Sequence, residues 1–176
     1  KSKGSKMIVF DLDSGKFRVQ RGSDTVIEKS LDKNIMAAAI GSKGNYAVAT
    51  YGKDAQSVLT VYNKNGKEKF AWNFSDERIT DIDLSPNGKY AAVAAIKALN
   101  GEISSKLYVF NLSKADEYAA CFDYGGTTLL KVNYIKGNNI VAVGDNLKSY
   151  IKNNTNRQDD LKFNSDKLHN YCVSQD

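Results

Sequence analysis

Apolar and polar residues alternate in three similar stretches of this chain, and a short polar turn interrupts each stretch. The stretches are residues 34–50 (NIMAAAIGSKGNYAVAT), 78–94 (RITDIDLSPNGKYAAVA) and 128–144 (TLLKVNYIKGNNIVAVG). Alternation with a period of two is typical of half-buried β-strands, and a glycine after Lys or Asn favours the tight turn of a β-hairpin. The turn glycines are Gly44, Gly88 and Gly137. They lie 44 and then 49 residues apart, so the pattern predicts a repeated unit that begins with a hairpin.

A second hairpin follows the first in each unit. Residues 58–74 and 107–122 align as strand, polar turn and strand, and residues 148–163 are a degenerate third copy. Each unit therefore holds four antiparallel strands, which at this repeat length is typical of a β-propeller blade. The sequence predicts an all-β propeller. Its blades are expected over about residues 34–74, 78–122 and 128–163.

The two ends of the chain predict one further blade, split between them. Residues 7–31 read as the second, third and fourth strands of a blade, and residues 168–173 align with a first strand. In an alternative alignment, residues 5–12 match a third strand, at 105–112. The chain as a whole, residues 1–176, is thus expected to be a single propeller domain or a propeller fragment with about four blades' worth of strands.

Two kinds of closure follow from a split blade. Residues 168–173 could pair with residues 7–12 of the same chain and give four blades, or two chains could pair head to tail and give eight. A four-bladed ring needs bulky side chains near its axis, whereas the first predicted strand carries Ala37, Ala38 and Ala39. The small residues favour a larger ring, completed by a second chain in a homodimer or by further sequence.

One connection within a blade is longer than its counterpart. Residues 97–105 (KALNGEISS) stand where the preceding unit has only residues 53–57. Loops on a rigid scaffold often carry binding function, so Asn100, Gly101 and Glu102 form a possible interaction loop. A tolerated insertion explains the same length difference.

Charge and composition narrow the function classes. The formal net charge is +5 and the sequence pI is about 9.0, but charges of both signs are interspersed, with a small basic cluster only at the start of the chain. Without a basic stripe beside stacking aromatics, we expect no nucleic-acid partner.

The sequence contains no apolar stretch of membrane-spanning length, and because it starts at Lys1, a native start could carry a signal or anchor. Cys121 and Cys172 are expected to be two buried free thiols.

Residues with catalytic or metal-binding chemistry are sparse. His169 is the single histidine, and we find no zinc spacing, nucleophile elbow or phosphate loop, so we expect no metal, no cofactor and no enzymatic activity. Asp81 and Asp83 lie two apart in a predicted strand and share a face, as Asp11 and Asp13 do in another. Such pairs serve as acid and base in glycosidases or bind calcium. The other units do not keep acids at the positions of Asp81 and Asp83, which favours capping or ion pairing instead.

Particular segments resemble known propeller families. Residues 84–94 (LSPNGKYAAVA) resemble the Ser-Pro-Asp-Gly-Lys segment of WD40-like and TolB-like blades, and residues 62–74 (YNKNGKEKFAWNF) resemble blades of quinoprotein-type propellers, with Trp72 packing between blades. Residues 95–112 match the long loop of a bacterial WD40-like propeller family of unknown function. The resemblance covers about residues 17–165.

This resemblance implies a full-length protein with an N-terminal membrane anchor and a propeller outside the cytoplasm. The expected function is a non-enzymatic extracytoplasmic scaffold that binds a protein, peptidoglycan or another cell-surface ligand, with membrane contact only through a segment outside this sequence. The alternative is a fragment of a carbohydrate-active or quinoprotein-like enzyme.

Overall fold

A computed structural model describes residues 1–12 and 14–163, and these residues form four antiparallel β-sheets that follow one another along the chain. The first sheet consists of β1 (Ser2–Lys3), β2 (Lys6–Phe10), β3 (Lys16–Arg21) and β4 (Asp24–Ser30). Its spatial order is the order of the sequence, so residues 7–31 supply its second, third and fourth strands. Ser2 and Lys3 take the first-strand position and pair with Met7 and Lys6. The segment 168–173, which the sequence placed there, lies outside the described residues.

The next three sheets repeat this meander. The second consists of β5 (Ile35–Ile40), β6 (Tyr46–Tyr51), β7 (Ser57–Tyr62) and β8 (Glu68–Phe74). The third consists of β9 (Arg78–Leu84), β10 (Tyr90–Leu99), β11 (Glu102–Asn111) and β12 (Tyr118–Asp123). The fourth consists of β13 (Leu129–Tyr134), β14 (Ile140–Gly144), β15 (Leu147–Lys152), β16 (Asn156–Arg157) and β17 (Leu161–Lys162). In this last sheet, the two short strands β16 and β17 both pair with β15 in place of one fourth strand.

Glycine makes the first hairpin turn of three sheets possible. Gly44, Gly88 and Gly137 have φ angles of +85°, +71° and +73°. Side chains with a Cβ atom rarely adopt this left-handed region, because Cβ crowds the following carbonyl oxygen. These turns bring the first and second strands of each sheet into antiparallel register.

The hydrophobic core lies between consecutive sheets rather than inside any one of them. Between the first and second sheets, the Tyr46 ring contacts Phe17 of β3 with centroids 5.6 Å apart, and Tyr62 of the same sheet as Tyr46 stacks on Tyr46 at 4.9 Å. Between the second and third, Trp72 lies 5.1 Å from Phe110. The third and fourth enclose a separate cluster around the fully buried Val132. Sheets that pack face to face in succession are the blades of a propeller.

Buried serines also link neighbouring blades. Ser57 Oγ donates to the Glu77 carbonyl oxygen at 2.8 Å and accepts the Ile79 amide at 3.3 Å. Ser105 Oγ, one blade later, accepts the Leu129 amide at 2.9 Å. In both cases the serine begins the third strand of one blade, or lies near its start, and binds the first strand of the next blade. The prediction of an all-β propeller with four-stranded antiparallel blades is confirmed, and these blades form part of a propeller.

Candidate functional site

The meander divides the connections of each blade between two ends of the strands. We call the end that holds the first-to-second and third-to-fourth strand turns the turn end. It includes residues 4–5, 41–45, 63–67, 85–89 and 135–139. The opposite end, with the second-to-third connections and the crossings between blades, is the loop end. It includes residues 31–34, 52–56, 75–77, 100–101 and 124–128.

At the loop end, β10 and β11 extend past both neighbouring strands. They pair with each other from Tyr90–Asn111 to Leu99–Glu102, whereas β9 follows β10 only as far as Ile96. Residues 97–104 therefore form a two-stranded projection, about 13 Å long at the usual rise per residue. The sequence predicted a loop here, and the structure corrects this to a β-ladder, because the inserted residues continue the register of the strands that flank them.

The tip of this projection is a two-residue turn at Asn100 and Gly101. Their φ angles are +53° and +83°, as a type I′ turn requires. The Asn-Gly pair is the sequence signal for this hairpin. The prediction of a loop was based on the length of the segment and did not use that signal. Glu102 follows at the exposed start of β11, and Ile103 next to it is 45% exposed. Ile103 lies opposite the exposed Ala98, so the projection carries a small apolar patch between polar residues.

The base of the projection is packed into the core and carries one ion pair at its surface. Lys97 pairs with Asp76, in the crossing between the second and third blades. Further down the same strands, Ala94, Leu107 and Val109 are fully buried. A rigid base with an exposed tip is the arrangement expected of a contact element.

A second group of functional candidates lies on β9, where Asp81 and Asp83 are 4% and 2% exposed. Asp81 Oδ2 accepts the Val132 amide at 3.0 Å, and Asp83 Oδ2 accepts the Tyr134 amide at 2.8 Å. Both amides belong to β13, the first strand of the next blade. The two carboxylates therefore join the third blade to the fourth through backbone hydrogen bonds.

Lysines from other blades neutralise these carboxylates. The Asp81 Oδ1 atom lies 2.7 Å from Lys1 Nζ and 3.4 Å from Lys131 Nζ. Lys3 Nζ lies 3.3 Å from Asp83 Oδ2. Burial raises the pKa of Asp83, against the opposing effects of Lys3 and of the Tyr134 amide. Burial likewise lowers the pKa of the Lys1 side chain, and Asp81 partly offsets that effect.

This arrangement uses the acceptor atoms that a substrate or metal would need. Lysines contact both carboxylates, as the ion-pairing alternative from the sequence expected, and the amides they accept belong to strand β13 rather than to a blade turn. Across the described part of the chain, no group of three or more His, Cys, Asp or Glu side chains is placed to hold a metal ion. Asp11 is exposed and accepts the Ser14 hydroxyl at 2.9 Å. The other candidates, Asp13, His169 and Cys172, lie outside the described residues.

Glu77 forms a polar cluster that the sequence did not reveal. It is 6% exposed, accepts the Tyr108 hydroxyl at 2.7 Å and pairs with Lys106 at 3.0 Å. Burial and the Glu77 carboxylate raise the pKa of Tyr108. Cys121 lies beside Tyr108, and burial raises the pKa of its thiol. With both Glu77 oxygens occupied, the cluster fastens the crossing between the second and third blades to β11.

Within residues 1–12 and 14–163 there is no helix long and apolar enough to cross a membrane. No curated protein sequence matches the chain. A family model described as "Family of unknown function (DUF5711)" matches residues 1–176.

Solved structures share the fold at low sequence identity. The structure of the Dos1 propeller is 14% identical, with a TM-score of 0.69, and the match covers 92% of this chain and 44% of that one. Kluyveromyces lactis Hsv2p is 14% identical, with a TM-score of 0.63 and coverage of 92% and 60%. A Bacteroides caccae protein of unknown function is 14% identical, with a TM-score of 0.56 and coverage of 90% and 58%. The chain thus spans about half the length of these propellers.

Proposed function

We propose that this part of a propeller is a non-enzymatic scaffold that binds a protein partner through its loop end. The chain belongs to the DUF5711 family of unknown function. The observation that carries the proposal is the projection of β10 and β11, residues 97–104, beyond the sheet that holds them. Strands buried at their base and exposed at their tip present a preformed surface, which lowers the entropic cost of binding.

The chemistry of the projection suits a protein contact. Ile103 and Ala98 provide an apolar centre, and Glu102 and Asn100 provide a polar rim, the usual composition of a small interface. Lys97, at the base of the hairpin, pairs with Asp76 in the crossing between the second and third blades. The partner is expected outside the cytoplasm, as the resemblance to anchored propellers implies, where peptidoglycan or another cell-surface ligand is the second possibility.

The enzyme alternative has less support in the arrangement of the acids. A glycosidase needs two carboxyl groups that converge on open space. Asp81 and Asp83 instead accept amides of the adjacent strand and face lysines. We therefore assign the pair to the joint between two blades.

Site-specific photo-crosslinking tests the proposed contact. A photoreactive residue at Ile103, 45% exposed, is compared with one at Val26, 50% exposed on β4 of the first blade. In cells that express the protein naturally, a discrete adduct is expected from position 103 and not from position 26. A second label at the exposed Asp54, in the loop-end connection of the second blade, should form an adduct with the same partner in the wild type. Shortening residues 97–105 to the length of residues 53–57 should remove that adduct. The same adducts from positions 103 and 26, or none from position 103, would refute the proposal.

A further inference from the structure

The fold brings together four lysines that are far apart along the sequence. Each of the four first-to-second strand turns, with its flanking residue, contains one lysine and no acidic residue. The four segments are residues 4–6 (GSK), 41–45 (GSKGN), 85–89 (SPNGK) and 135–139 (IKGNN). Their lysines are Lys6, Lys43, Lys89 and Lys136. Because all four turns lie at the turn end, the inner part of that end is uniformly basic.

These turns are neighbours in space, so their charges form one continuous surface. Lys6 Nζ donates to the Ser42 carbonyl oxygen at 3.0 Å, which joins the first two turns. The carbon chain of Lys43 lies next to Gly88, within 3.5 Å of the position that a Cβ atom would have there, which joins the second and third turns. The Asn87 side-chain amide donates to Asn138 Oδ1 at 3.0 Å, which joins the third and fourth turns. Each turn therefore contacts the next. We call the set of residues 4–6, 41–45, 85–89 and 135–139 the lysine arc.

Most lysines of the arc have no acidic partner. Lys43, Lys89 and Lys136 are exposed, and among the described residues none of them takes part in an ion pair. Further lysines extend the surface outward on the third-to-fourth strand turns. These are Lys64, Lys67, Lys114 and Lys152. The acidic residues at this end begin the outer fourth strands or lie just before them. They are Asp24, Glu68, Asp116 and Glu117, the last of which pairs with Lys114.

We propose that the lysine arc docks on an anionic lipid surface, so that the propeller rests on its turn end and presents the β10–β11 projection away from the membrane. This goes beyond the scaffold role and beyond the expected membrane contact through a segment outside this sequence. It stands independently of the partner proposed for the loop end. Each lysine near an anionic bilayer strengthens binding by about 5-fold.

The composition of the arc selects a lipid surface over other anionic partners. A protein interface is built around an apolar centre and is depleted in lysine, but the arc contains no large apolar residue apart from Ile135, which is only partly exposed. Single-stranded nucleic acid is bound through aromatic stacking, and the arc contains neither an aromatic residue nor an arginine. Lysines on short turns that lie side by side match a broad surface of headgroups.

Vesicle co-sedimentation tests this with two matched variants of the full chain. The arc variant carries Lys43→Glu, Lys89→Glu and Lys136→Glu. The control variant carries Lys16→Glu, Lys33→Glu and Lys53→Glu, three lysines at the loop end. Both variants undergo the same change in net charge, so only the location of the charge differs.

The wild type is expected to bind vesicles with about one-third anionic lipid, and to lose that binding as salt rises. It should not bind zwitterionic vesicles. The partition coefficient should fall by at least about 100-fold in the arc variant, from the loss of three lysine contacts, and by less than about 3-fold in the control. If the arc variant unfolds, as judged by its urea midpoint, the triple Lys→Gln variant replaces it with the same expectation.

Three results would overturn the proposal. The first is a wild type that fails to bind anionic vesicles at low salt. The second is an equal loss in the arc and control variants, since net charge alone would then govern binding. The third is tighter binding to double-stranded DNA than to vesicles at equal phosphate concentration, which would identify a different class of partner.

Discussion

Replacing Asp83 by alanine should destabilise the protein by about 2–4 kcal/mol. The substitution leaves the Tyr134 amide without its acceptor at 2.8 Å, and Tyr134 is only 1% exposed. An unsatisfied buried donor costs about 1–3 kcal/mol. Loss of the partner of Lys3, whose side chain is 11% exposed, adds a smaller amount, because a lysine can turn its ammonium group toward water.

The Asp83→Asn variant separates the hydrogen bond from the charge. Its amide oxygen can still accept the Tyr134 N–H group, and it carries no charge to be buried, so its cost should stay below about 1 kcal/mol. Urea unfolding, followed by the fluorescence of Trp72, the single tryptophan, measures the free energy of unfolding of both variants. The variants are compared at the same dependence of that free energy on urea concentration. Equal destabilisation by alanine and asparagine, or an alanine cost below about 1 kcal/mol, would refute the assigned role of the carboxylate.

The pH dependence of the same pair tests the electrostatic part. Burial raises the folded-state pKa of Asp83 above its ordinary value of 3.8. The ionised carboxylate is therefore a cost at neutral pH, and that cost is relieved as pH falls through the folded-state pKa toward 3.8. The wild type should gain stability relative to Asp83→Asn across this window. A difference that is flat, or that changes in the opposite direction, would contradict the pKa shift.

Three further outcomes are expected. Gly137→Ala should cost about 1–2 kcal/mol from backbone strain alone, since a Cβ there meets nothing within 4 Å, and Gly137→Asn should cost less in the same unfolding assay. Ser105→Ala removes the acceptor of the buried Leu129 amide and should cost about 1–3 kcal/mol, seen as a lower urea midpoint. In a Cys172→Ser background, Cys121 should react with iodoacetamide more slowly than a free cysteine at neutral pH, and faster as pH rises.

Local chemistry made much of the fold predictable from the sequence. Gly44 and Gly88 mark turns because few other residues adopt positive φ, and alternating apolar residues on either side define the strands. The projection was missed although its signal was equally local. Asn100-Gly101 indicates a two-residue hairpin turn wherever it separates two strands, but the segment was interpreted by its length.

The partners of the candidate site could not be predicted in this way. Asp81 meets an amide at Val132, 51 residues away, and a lysine at the start of the chain. Such contacts depend on the angle between blades, which no short sequence window contains. The lysine arc was hidden for a related reason. Lysines of the inner turns are far apart along the chain and alternate with acidic residues, so they come together only after the strands have turned back and forth.

The hydrogen bonds from β13 to Asp81 and Asp83 also bear on solubility. As the first strand of its sheet, β13 has a strand neighbour on one side only, and its outward amides at Val132 and Tyr134 are a template on which another chain could form a ladder. The two carboxylates occupy these donors as a neighbouring strand would, but they present no backbone N–H group on which a further strand could pair. They therefore block intermolecular β-pairing at this edge. Removing them should expose an aggregation-prone strand, even in molecules that remain folded.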